Sequence, residues 1–132
     1  MMQRILQPEG WARPRGYANG VSASGRTIHV AGQIGWTAEQ QLVLGGLVAQ
    51  TKQALQNIVV ILAEDGARPE HLVRLTWYVT DRAAYLAAAA EIGAVYRDVI
   101  GRHFPPMSAV EVSALMEKEA VVEIEATAIV PL

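Results

Sequence analysis

From Leu47 onward, apolar residues recur every third or fourth position: Leu47, Thr51, Leu55, Ile58 and Leu62, with Val48, Ala54 and Val59 widening the stripe. That spacing follows the 3.6-residue turn and predicts an amphipathic helix over about 45–65, closed by Asp65-Gly66 and Pro69. A second stripe, Tyr85, Ala88 or Ala89, Ile92, Val95 or Tyr96, and Val99 or Ile100, predicts a helix over 82–100. Asp81 is placed to cap it and Gly101 to stop it. Elsewhere the period is two. From His71 to Thr80, Leu72, Arg74, Thr76 and Tyr78 fall on one face of a strand, and Val73, Leu75, Trp77 and Val79 on the other. In 121–128, Glu123, Glu125 and Thr127 alternate with Val122, Ile124, Ala126 and Ala128, which predicts a strand with one wet and one buried face. A further run spans 103–112.

The first third predicts more strands. Residues 3–6 suit a short edge strand, and the Pro- and Gly-rich stretch 7–16 an irregular connection in which Trp11 caps the core or lines a groove. Tyr17–Ser24 and Thr27–Gln33, joined at Ser24-Gly25, predict a β-hairpin. Gly32 within the second strand marks a bulge or a close backbone approach. Residues 35–46 form a loop. The order β-β-β-α-β-α-β-β fits one domain, 1–132, of the α+β class, with two helices on one face of a mixed six-stranded sheet.

Composition then narrows the function. Hydrophobic residues make up 52% of the chain, more than a domain of this size readily hides, and association with further copies is the common way to cover the surplus. A formal charge of −2 argues against a nucleic-acid partner, which calls for a basic stripe. With no cysteine, thiol catalysis and thiolate metal sites are excluded. The first eight residues lack the apolar core of a signal peptide, and Glu91 interrupts 83–96, the stretch nearest to a membrane span, so a cytoplasmic protein is expected.

Chemistry is sparse. His29, His71 and His103 fall on different elements without metal-ligand spacing, no serine sits in a nucleophile elbow, and Gly45-Gly46 is too short to cradle a phosphate. Neither a metal nor a cofactor is expected. Glu123 and Glu125 on one strand face either look at solvent or hold water at the mouth of a pocket. Trp36 and Trp77 are strand tryptophans suited to a core or to an aromatic wall.

Beyond this the chain resembles a known family. Phe104-Pro105-Pro106-Met107-Ser108-Ala109-Val110-Glu111-Val112 and Val122-Glu123-Ile124-Glu125-Ala126 are similar to the C-terminal signature of the Rid/YjgF imine/enamine deaminases. The likeness continues in Tyr17-Ala18-Asn19-Gly20, Val30-Ala31-Gly32-Gln33-Ile34 and Leu75-Thr76-Trp77-Tyr78-Val79-Thr80-Asp81. The resemblance implies a chorismate-mutase-like fold, a homotrimer and a small-molecule pocket between subunits. It further implies that Glu123 positions a water, helped by the carbonyl of Ala109, while Tyr17 and the backbone of Ala31 and Gly32 line the pocket. Active members carry an arginine that clamps the substrate carboxylate, and here Met107 stands in its place. A thioether has neither the charge nor the five donors of a guanidinium. Three consequences are open: imines without a carboxylate are the substrates, some other small ligand is bound, or another cation substitutes, with Arg102 and His103 nearby in sequence. Two functional classes therefore follow, an imine/enamine hydrolase of altered preference and a non-catalytic trimeric ligand-binding or chaperone-like protein.

Overall fold

A computed structural model describes residues 3–132. Its strands are β1 (Arg4–Ile5), β2 (Val21–Ser22), β3 (Arg26–Gln33), β4 (Leu72–Val79), β5 (Met107–Glu111) and β6 (Val122–Val130). The helices are α1 (Gly46–Ala63), α2 (Arg82–Ala87) and α3 (Ala89–Val99), with a short 3-10 turn at Pro69–His71. The class is α+β, as expected.

The six strands divide between two sheets. β1 and β2 form an antiparallel pair, and the main sheet runs β3-β6-β4-β5, parallel only between β4 and β5. The expected hairpin of 17–24 with 27–33 is therefore absent. β2 pairs with β1, Ile5 opposite Val21, while β3 pairs with β6, Ile28 opposite Ala128 and Val30 opposite Ala126. The physical reason is burial. β6 offers β3 a strand whose alternate residues Val122, Ile124, Ala126 and Ala128 are all buried, a partner face that 17–24 lacks. Tyr17 to Gly20 runs instead as loop, tied to the segment before β5 by Ala18 N–H donating to Pro105 O (3.3 Å).

The helices cover one face of the main sheet, with α1 against β3 and β6, and α3 against α1. Leu55, Ile58 and Leu62 of α1 are fully buried against Leu72, Leu75, Val122 and Ile124, each such side chain contributing about 1.5–3 kcal/mol. Buried Gln50 is satisfied on both sides, Nε2 donating to Glu119 O (3.1 Å) and Oε1 accepting from Val121 N–H (2.9 Å). It staples α1 to the entry of β6.

Three local expectations change. Leu72 is buried on the helix side with Leu75, because Leu72 and Arg74 sit opposite the adjacent residues Ala128 and Thr127, a bulge that reverses the alternation. The single helix of 82–100 breaks at Ala88 (φ −95°, ψ 10°). Nothing local marks that position in an alanine run. Tertiary packing sets it, letting Tyr85 meet Trp77 edge-on while Ile92 and Tyr96 of α3 enter the core. Trp11 does not cap the core; it is exposed.

Candidate active site

Strand parity sorts the predicted site residues into two groups on opposite faces. In β6, Glu123 lies opposite Tyr78 and Glu125 opposite Thr76, so both carboxylates share the outer face with Arg74, away from the helices. Met107 and Ala109 of β5 pair in parallel register with Leu75 and Trp77, which places them on the helix side. Within one chain, Glu123 and Met107 therefore cannot meet.

On the outer face the two glutamates differ. Tyr78 Oη donates to Glu125 Oε1 at 2.6 Å. That bond, together with burial and the nearby carboxylates of Glu125 and Glu123, pushes the Tyr78 phenol up from its ordinary value, against a weaker lowering by Arg74. Glu123 accepts no hydrogen bond among the described residues. Its carboxylate lies instead against the backbone of Gly32, where β3 departs from regular pairing between Val30 and Gln33. An added Cβ at Gly32 would overlap Oε2 and stand 2.7 Å from Cδ of Glu123, so the glycine is what lets the carboxylate lie this close. Gly32 and its neighbour Ala31 thus belong with Glu123. His29, opposite Thr127, faces a shallow polar groove beside Arg74 and Glu125.

Tyr17, Met107 and Ala109 line a different space, a cavity of about 420 Å³ between β5, α2 and α3. Its wall is aromatic. Trp77 packs edge-on to Tyr85 (6.3 Å between centroids) and Tyr96 stacks on Phe104 (5.5 Å). Tyr96 Oη donates to His103 O (2.6 Å), and burial raises the phenols of both Tyr85 and Tyr96. The indole Nε1 of Trp77 is buried with no acceptor, a state that costs about 1–3 kcal/mol when nothing offsets it. Met107 is half-buried, touching the core cluster.

Arg102 and His103, the cations nearest Met107 in sequence, do not line this cavity. They face a larger groove of about 610 Å³ with His71 and Glu70, and His103 Nε2 donates to Leu72 O (2.7 Å). The cations beside Met107 are Arg15 and Arg97, which sequence reasoning missed. Arg15 is two residues from Tyr17 and was within reach of that signal; Arg97 is placed only by the angle of α3. Trp36 is half-buried and lies off this wall. Among the described residues no group of three or more His, Asp or Glu could hold a metal ion, and no helix is long and apolar enough to cross a membrane.

Residues 11–130 match the model of the family described as Endoribonuclease L-PSP. The chain belongs to that family, the Rid/YjgF proteins. It is 35% identical to a RutC family protein of Pyrococcus abyssi over 97% of this chain and 98% of that one. It is 39% identical to the 2-iminobutanoate/2-iminopropanoate deaminase of Capra hircus over 79% and 73% of the two chains. Among solved structures, a Rid-family protein of unknown function from Yersinia pestis, YyfB, superposes with a TM-score of 0.85 at 42% identity, covering 98% of this chain and all of that one. The fold is thus YjgF-like, with α1 and the broken α2–α3 segment in the place of the two expected helices.

Proposed function

We propose that this Rid-family chain hydrolyses reactive imines or enamines to a carbonyl compound and ammonia, in a small-molecule pocket completed between copies of the chain in a homotrimer. The observation that carries the reading is the unpaired carboxylate of Glu123, seated against Gly32 while its neighbour Glu125 is engaged by Tyr78. A carboxylate so held accepts a hydrogen bond from water and aims its oxygen at the C=N carbon. Water adds across the C=N bond, its oxygen to carbon and a proton through Glu123 to nitrogen. The carbinolamine then collapses to the carbonyl as ammonia leaves with the second proton, so imine plus water gives carbonyl plus ammonia. The imine carbon is already electrophilic, and no metal or cofactor is called for.

The opposite placement of Glu123 and Met107 supports assembly. A Glu123 face on one copy set against the Tyr17, Met107 and Ala109 cavity of the next is a head-to-tail contact, which closes as a ring. The exposed Val110 on the outer face of β5 and the apolar share of the chain suit burial there. The formal charge of −2 leaves no surplus of cations to neutralise RNA phosphates, which weighs against a ribonuclease.

The test is the decay of short-lived imines generated from amino acids and from simple amines, with wild type and Glu123→Ala. Acceleration lost in the variant is expected. No acceleration with any imine leaves the non-catalytic binding role, for which Met107 in place of the clamping arginine speaks. Sedimentation of a monodisperse monomer at micromolar concentration removes the intersubunit pocket.

A further inference from the structure

The 420 Å³ cavity between β5, α2 and α3 contains two guanidinium side chains and no carboxylate. Neither Arg15 nor Arg97 takes part in an ion pair or hydrogen bond among the described residues, whereas Arg26 and Arg68 are paired with Asp65 and Glu70. Arg97 is seated by sequence. Its Nη1 lies 3.3 Å from where a Cβ at Gly93 would stand, one helical turn earlier, so the glycine gives the guanidinium a berth along α3. The remaining wall is flat and apolar, formed by Trp77, Tyr85 and Phe104 with the flexible Met107. Aromatic surface and unpaired positive charge share one space of a size usual for small-molecule sites.

We infer that this cavity binds small aromatic carboxylates, with Arg97 as the clamp for the carboxylate, assisted by Arg15, and the ring held against Trp77, Tyr85 and Phe104. A guanidinium offers a carboxylate two parallel N–H donors, and no acid of the same chain lines the cavity to compete for that fork. The charge that Met107 lacks is thus supplied from α3, in the wall of the same cavity. As a substrate class this means imines of aromatic amino acids, an assignment that rests on the hydrolase reading; the binding site itself does not.

The experiment compares 3-phenylpropanoate with its neutral isostere 3-phenylpropanamide by calorimetry. Indole N–H shifts in ¹⁵N-labelled protein report on location, with the Trp77 signal assigned through Trp77→Phe. The acid is expected to bind at least tenfold more tightly than the amide and to move the Trp77 signal. Arg97→Gln should abolish that preference, Arg97→Lys retain part of it and Arg15→Gln weaken it less. Arg97 is exposed, so the fold of its variants is not at risk, and far-ultraviolet circular dichroism checks it. Equal binding of acid and amide, no effect of Arg97→Gln, an unmoved Trp77 signal, or no binding at millimolar ligand each overturns the inference. A phenylalanine-derived imine hydrolysed equally well by wild type and Arg97→Gln removes the clamp and leaves the hydrolase. Arg97-dependent binding without hydrolysis does the reverse.

Discussion

Replacing Gly32 with alanine tests whether the proposed imine hydrolysis depends on the seat of Glu123. The new Cβ would overlap Oε2 of Glu123 and approach Cδ at 2.7 Å and Cγ at 2.9 Å, closer than real side chains come. The backbone at Gly32 is not in the left-handed region, so alanine itself is tolerated there and the collision falls on the glutamate. Glu123 is half-buried and its carboxylate is the free end of a flexible chain, so it swings aside. An overpacked contact costs about 1–3 kcal/mol, and the flexible end places this one near 1, a fall in Tm of about 4 °C for a domain of this size. Activity suffers far more. A catalytic group displaced by about 1 Å loses on the order of 10²-fold in rate. The assay is a double-mutant cycle of imine hydrolysis and thermal melting over wild type, Gly32→Ala, Glu123→Ala and the pair. The expected pattern is a Gly32→Ala loss of on the order of 10²-fold that vanishes in the Glu123→Ala background, with the melting temperature recovering there as well. Additive losses would refute the coupling, and wild-type activity in Gly32→Ala would refute the role of the seat.

Other predictions follow from the same geometry. Gln50→Leu removes both partners of a buried pair of backbone groups at Glu119 and Val121, and chemical denaturation should show a loss of about 2 kcal/mol or more; less than 0.5 kcal/mol would mean that water replaces the amide. Tyr78, Tyr85 and Tyr96 all have phenols raised above the ordinary value of 10.0, Tyr78 by its bond to Glu125 and the other two by burial. The folded state holds these protons more tightly than the unfolded one, so their stabilisation is complete below about pH 10 and is lost as pH climbs toward the raised values. Melting temperature between pH 9 and 11.5, read beside tyrosinate absorbance, should fall in step with ionisation, and a flat profile would contradict the burial of Tyr96. Tyr78→Phe frees Glu125 and keeps the ring opposite Glu123, to which the phenol makes no hydrogen bond, so imine hydrolysis should change by less than about threefold. A loss comparable with Glu123→Ala would move the catalytic carboxylate to Glu125.

The two periodicities in the sequence determined most of the secondary structure. The stripe from Leu47 to Leu62 could be buried only as a helix, and the alternation in 121–128 only as a strand with Glu123 and Glu125 on its wet side. Signature residues around Met107 and Glu123 were likewise enough to place the chain in its family. Pairing partners were not legible. A strand's pattern states which face is buried and not against what, so the hairpin expected through Ser24-Gly25 gave way to a β3–β6 pair with more to bury. A one-residue bulge turned Leu72 inward, and a break at Ala88 left no mark among alanines because helix propensity there is uniformly high. The candidate site divides in the same way. Residue types named Glu123, Gly32, Tyr17 and Met107, but only strand register could show that Glu123 and Met107 face opposite sides of one sheet. Only the angle of α3 could bring Arg97, ten residues from Met107, to the cavity that Met107 lines. Periodicity is a local property of the chain and survives in the sequence; register and helix placement are settled by the free energy of packing distant segments together, which no short stretch contains.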